Sequence, residues 1–239
     1  AGRERVVHPR ARAGLSGRPT HKLARRGNEG RGERHDRLAE GRGFSFFDTA
    51  LWDARGRTLG QPVAALLGGP CRHEVPTKIS LSGDGDDLRE GYETAATLGF
   101  QAFKVKVGRD PDTDVARVRL ARELVGDGAL LGVDANGGWS RAVALATVPR
   151  LAELGIAFVE QPVAADDLEG MCQVRALGIP VVADESVYSA ADVERVVRSG
   201  AADVVSIYVG KSSGPQRAVG AARLATSLGA GVVIGSNGE

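Results

Sequence analysis

Cysteine is scarce. The 239 residues contain only Cys71 and Cys172, which excludes a disulfide framework and a cysteine-rich metal site. Long apolar runs are missing too, and none approaches the roughly 20 residues that a bilayer-spanning helix needs. The first residues are basic with no apolar stretch behind them, unlike a secretory signal. These absences describe a soluble cytoplasmic protein. With 42% hydrophobic residues, the chain has the apolar mass for a substantial core.

What the sequence does contain is a series of short apolar runs, each closed by a charged residue. Lys104 and Lys106 end FKVKV, Asp134 ends the run in LLGVDAN, Glu160 that in IAFVEQP and Asp184 that in PVVADES. The steps from Lys106 to Asp134, Glu160 and Asp184 are 28, 26 and 24 residues, about one strand, one helix and two connections. The runs lack period-two alternation, as parallel strands buried on both faces do. Ligands bind at the carboxyl ends of strands in parallel α/β architectures, so three carboxylates and two lysines are expected to converge there. Residues two apart on a strand point to one side, which aims both Lys104 and Lys106 at that site.

The intervening segments read as helices. DPDTDVARVRLARELVG opens on capping residues Asp110 and Asp112 and carries Val115, Val118, Leu120 and Leu124 before Gly126. SRAVALATVPRLAELG, SAADVERVVRSG and GPQRAVGAARLATSLG follow the same plan, each closing on glycine. Strands are expected at residues 75–82, 101–107, 129–134, 156–160, 180–184, 203–209 and 231–235. That makes seven, where a closed (β/α)8 barrel has eight.

Charge is distributed unevenly. Residues 1–43 hold 12 of the 31 Lys and Arg and 5 of the 30 acids, leaving 19 basic and 25 acidic residues in 44–239. This Arg/Gly-rich segment has few apolar residues and is expected to be disordered. It suggests a rival function, in which a basic tail on a catalytically inactive remnant binds polyanions such as RNA or DNA. Against that, the tail has no aromatic residue to stack on bases, and its acids are interspersed. A solvated tail is the simpler expectation.

The segment FFDTALWDARGRTLGQPVAALLGG, followed by FKVKVG, VDANGGWS, FVEQP, ADES and GKSSGPQRAV, resembles the mandelate racemase and muconate lactonizing enzyme branch of the enolase superfamily. The resemblance covers residues 44–239. It implies a (β/α)8-type TIM barrel, here with about seven strands, preceded by a helical linker at residues 44–74 that joins a capping domain to the barrel at 75–239. Nothing in residues 1–43 matches that cap, and GSNGE falls where the family continues into a helix and an eighth strand. The expectation is a chain truncated at both ends, with a frameshift upstream of Phe44 and a premature stop after Glu239 as its cause.

The resemblance also implies a chemistry. The family binds a carboxylate substrate to Mg²⁺, removes the proton α to the carboxylate and stabilises the resulting enediolate. On that pattern Asp134, Glu160 and Asp184 are the metal ligands, and three hard oxygens suit Mg²⁺. Zinc is not expected, since His and Cys are missing from these strand ends. Lys106 is the general base, with Lys104 tuning it or contacting the substrate. A lysine must lose roughly 3 pKa units to act as a base at neutral pH, and a neighbouring ammonium and metal push it that way. The partner implied is a small carboxylate molecule, and relatives are commonly homo-oligomers.

Other residues carry weaker signals. Asn136 and Gln161 follow two ligands and either hydrogen-bond the metal shell or shape their loops. Glu185 follows Asp184 and in the family often supports the site. Ser80 and Ser82 are candidates for substrate contact, and Trp52 reads as core. In DVVSIYVGKSSGP, Tyr208 stands where racemising relatives carry a second lysine, and Lys211, three residues later, falls beyond the strand end. Racemisation needs bases on both faces, so it requires Tyr208 or Lys211 to substitute. One-base reactions, cycloisomerisation or syn elimination, need Lys106 alone. Glu239 is given no role.

Overall fold

A computed structural model describes residues 45–70 and 72–236. The basic segment expected to be disordered, residues 1–43, lies outside the described residues, as do Cys71 and Glu239. A helix through residues 45–59 (α1) and a short one at Val63–Leu66 (α2) lead into the sheet. The strands are β1 (Ile79–Leu81), β2 (Ala102–Lys106), β3 (Leu130–Asp134), β4 (Val159–Glu160), β5 (Val181–Ala183), β6 (Val204–Ile207) and β7 (Gly231–Ile234). Between them run α3 (Asp86–Thr97), α4 (Pro111–Val125), α5 (Arg141–Ala152), α6 (Leu168–Arg175), α7 (Ala190–Arg198) and α8 (Pro215–Ser227).

All seven expected strands are present, each shorter than its apolar run. They pair in parallel, in sequence order, with β1 and β7 at the edges. The sheet curls, since side chains from β1, from β2 and from the ends of β3, β5, β6 and β7 line one cavity. Alternate residues face outward and are buried beneath the helices: Phe103 and Val105, Leu131 and Val133, Val159, Val181 and Val205. Leu88 of α3, Val118 of α4, Val148 and Leu151 of α5, and Val193 and Val196 of α7 close over them, fully buried. Each such side chain contributes about 1.5–3 kcal/mol relative to exposure.

Helix starts follow local chemistry. Asp110, Ser140 and Asp167 each accept a hydrogen bond from the backbone amide three residues on. At α7 a full capping box joins Ser189 and Asp192, each satisfying an orphan donor of the other. Asp112 corrects the sequence reading, because it caps nothing and instead forms an exposed ion pair with Arg150 at 2.7 Å. Trp52 is also corrected. It sits partly exposed on α1 with Arg55 over its ring at 5.4 Å, outside the buried core, while Ser45 at the start of α1 donates to the Val209 carbonyl.

One glycine shapes the inside of the curl. A Cβ on Gly132 would lie 2.1 Å from the ring of Phe158, so the missing side chain lets Phe158 cross the interior two residues before Glu160. The register then aligns the charged ends: Lys106 pairs with Asp134, and Asp134 with Glu160. Among the described residues no helix is long and apolar enough to cross a membrane.

Candidate functional site

The charged strand ends meet around a cavity of about 370 Å³, lined among others by Ser80, Lys104, Lys106, Asn136, Asp184 and Tyr208. A wider groove of about 580 Å³ lies at the opposite end, near the starts of β5 and β6, but its charges are already paired, Arg175 with Asp203 at 2.8 Å. The chemistry therefore gathers at the carboxyl ends of the strands.

Lys104 is buried and bridges two carboxylates, with Nζ 2.7 Å from Glu160 Oε1 and 2.9 Å from Asp134 Oδ2. Burial disfavours its charge, yet the attraction of Glu160 and Asp134 outweighs this and raises its pKa. Lys106 is more open, its side chain 39% exposed. Its Nζ lies 2.7 Å from Asp134 Oδ2 and donates to Asn136 Oδ1 at 2.9 Å. Burial pushes the Asp134 carboxyl up, but the two lysines prevail and hold it below the usual carboxylate range. Glu160, buried with a single ammonium partner, has its pKa raised by that burial.

The other side of the cavity is built on Asp184. Lys211 Nζ binds its Oδ1 at 2.6 Å and its backbone carbonyl at 2.9 Å, while Tyr208 Oη donates to Oδ2 at 2.9 Å. Lys211, in the turn after β6, also lies over the Tyr208 ring at 4.3 Å. Burial, then the Asp184 charge, pushes the Tyr208 phenol far up, so it stays protonated.

Asn136 and Gln161, which follow Asp134 and Glu160, adopt left-handed backbone conformations, with φ of 47° and 37°. For Gln161 this costs on the order of 1 kcal/mol and is offset by its bonds. It is fully buried, its Oε1 accepting from the amides of Asp184 and Ser186 and its Nε2 donating to the Val163 carbonyl. Gln161 thus welds the end of β4 to the loop after β5 and does not face the cavity. Asn136 does face it, linking Lys106 to Glu185 Oε1 at 2.9 Å. Burial and the Asp184 charge raise the pKa of Glu185.

Three features escaped the sequence reading. Lys78, just before β1, lies 5.8 Å over Phe158, and burial lowers its pKa. Tyr188 and Ser236 also line the cavity. Residues 78 and 80 share the β1 side-chain period, the one signal that would have found Lys78.

As a donor set, the site suits a hard divalent cation. It offers three carboxylates, and Glu160 Oε2 is buried with no hydrogen-bond partner, an arrangement that costs about 1–3 kcal/mol unless something positive meets it. Among the described residues no three Asp, Glu, His or Cys form a ready-made metal cluster; Lys104 bridges Asp134 and Glu160, and Lys211 holds Asp184.

Residues 87–239 match the family model described as enolase C-terminal domain-like. The chain is 35% identical over 192 residues to the N-succinyl-L-Arg/Lys racemase of Bacillus cereus, covering 79% of this chain and 52% of that protein. It is 37% identical over 187 residues to muconate cycloisomerase 1 of Rhodococcus opacus, covering 76% and 50%. Among solved structures, the dipeptide epimerase of Cytophaga hutchinsonii, complexed with Mg and the dipeptide D-Ala-L-Val, superposes with a TM-score of 0.73 at 33% identity, covering 78% of this chain and 51% of that one. The chain thus spans about half the length of the relatives it matches.

Proposed function

Because the chain belongs to the enolase C-terminal domain-like family, we propose that its cavity is the barrel half of an isomerase site that removes the proton α to a carboxylate. One observation carries the reading: Lys104, Lys106 and Asp184 line one cavity at neighbouring strand ends, Lys104 ties Asp134 and Glu160 to it from beneath, and Glu160 keeps a buried oxygen without a partner. Asp134, Glu160 and Asp184 are the residues that would hold Mg²⁺. When bound, the cation supplies positive charge beside the substrate carboxylate, which makes the neighbouring C–H more acidic.

Lys106 Nζ, the more open of the two β2 amines, receives the α-proton. Asn136 orients it, and Lys104, which bridges Asp134 and Glu160, lies beside it on the same face of β2. On the opposite side, Tyr208 commits its proton and Lys211 its ammonium to the same residue, Asp184. That favours one-base chemistry, such as cycloisomerisation or elimination, over two-base racemisation. The substrate class is a small carboxylate, as in the dipeptides and N-succinyl amino acids of the relatives' names.

The test is solvent exchange. In deuterium oxide with Mg²⁺, a panel of dipeptides and N-succinyl amino acids is followed by proton NMR for loss of the α-hydrogen signal. Exchange that disappears in Lys106→Ala supports the reading. No exchange on any carboxylate counts against it.

A further inference from the structure

The end of β2 is clamped from outside the cavity. Asp114, in the first turn of α4, is fully buried. Its Oδ2 accepts from the amides of Gly108 at 2.9 Å and Arg109 at 3.0 Å and from Trp139 Nε1 at 3.0 Å. Its Oδ1 accepts from Arg117 at 3.0 Å. Arg117, only 8% exposed, also donates to Asp84 at 2.6 Å in the loop after β1 and to the backbone carbonyl of Lys106 at 2.8 Å. The turn it grips has little slack: Gly108 has φ +100°, and a Cβ there would meet the Ala135 carbonyl at 2.3 Å.

A buried ion pair is weak evidence for stability, since desolvation offsets much of the attraction. What distinguishes this one is the bond made to the main chain of Lys106 itself. Resting on the reading of Lys106 as the base, we infer that Arg117, oriented by Asp114, is a positioning residue for Lys106. Its bond to the Lys106 carbonyl fixes the direction from which Nζ enters the cavity, and so keeps Nζ on Asp134 and Asn136. Arg117 acts from the helix side of the strand and touches no substrate. A displacement of the base by about 1 Å is enough to lower a rate by about 100-fold, so the clamp acts on turnover more than on binding.

The experiment is trace acetylation of the wild-type chain, Arg117→Ala and Arg117→Lys, with each lysine's rate read by peptide mass spectrometry. Lys106 labelling is expected to rise about tenfold in Arg117→Ala, the scale of one lost hydrogen bond, and less in Arg117→Lys, whose shorter ammonium keeps some of the three bonds. Lys104 and Lys211 stay at wild-type rates. A rise shared by all three lysines, or none at Lys106, overturns the inference. If Arg117→Ala fails to fold, Asp84→Asn, which removes only the exposed partner, must still show a selective though smaller rise. In the exchange assay, kcat falls while KM stays within about twofold. A wild-type chain that exchanges no carboxylate defeats the functional reading, while the labelling pattern still decides this one.

Discussion

The Lys106 Nζ lies 2.7 Å from Asp134 Oδ2, and these two residues are also direct partners in the β2–β3 register. The parallel ladder therefore sets the acid–base geometry before any side chain chooses a rotamer. Removing the amine should erase the chemistry and leave the ladder intact. Lys106→Ala is expected to lower α-proton exchange by about 100- to 10,000-fold, the scale of one general base. Its melting curve should stay cooperative, as circular dichroism would report.

Tyr208 separates one-base from two-base chemistry. If it only braces Asp184, Tyr208→Phe loses one hydrogen bond, about 1 kcal/mol, and exchange falls by no more than about tenfold. The substrate should also keep its configuration in the wild-type enzyme while its α-hydrogen exchanges. Chiral chromatography after exchange checks this, and accumulation of the opposite enantiomer would assign a base to the second face.

The interior of the curl depends on an absent side chain. Gly132→Ala places a Cβ 2.1 Å from the Phe158 ring, and overpacking of this kind destabilises by about 1–3 kcal/mol. Phe158→Leu should recover part of that loss in the double variant, because neighbouring sites couple. Denaturant unfolding of the four chains measures the coupling, and simple additivity would contradict the contact.

The capping box at α7 has a pH signature. Burial pushes the Asp192 carboxyl up, but hydrogen bonds from Ser189, Arg195 and the Tyr188 amide hold it below the usual range. A depressed carboxyl contributes stability above its unfolded pKa and loses it as pH falls through the folded value. Ser189→Ala should therefore cost about 1 kcal/mol near neutrality, and the gap to wild type should narrow below about pH 4. A gap that widens in acid would reverse the sign.

The strands were legible because each apolar run ends on a charge at a regular step. So were Lys104, Lys106, Asp134, Glu160 and Asp184, since a parallel sheet turns that step into convergence on one face. Local pattern also named the cap Asp110 but wrongly added Asp112, because which of two acids caps depends on a single turn's backbone. Arg117 and Asp114 were illegible. They sit on a helix rich in charge, and their partners Asp84, Lys106 and Trp139 come from the loop after β1, the end of β2 and the segment after β3, a juxtaposition that no spacing encodes. Gln161 was ambiguous for the same reason, its partners lying on the neighbouring strand's loop.

The most direct test of the account is a thermal melt by circular dichroism, with and without millimolar Mg²⁺, of the wild-type chain and of Glu160→Gln. A ligand that binds only the folded state raises its stability by about 2.7 kcal/mol at a hundredfold excess over Kd. A cooperative transition shifted upward by Mg²⁺ in the wild type, and unshifted in Glu160→Gln, is the predicted result. No shift in the wild type, or an equal shift in both chains, would contradict a cation site built on these strand ends.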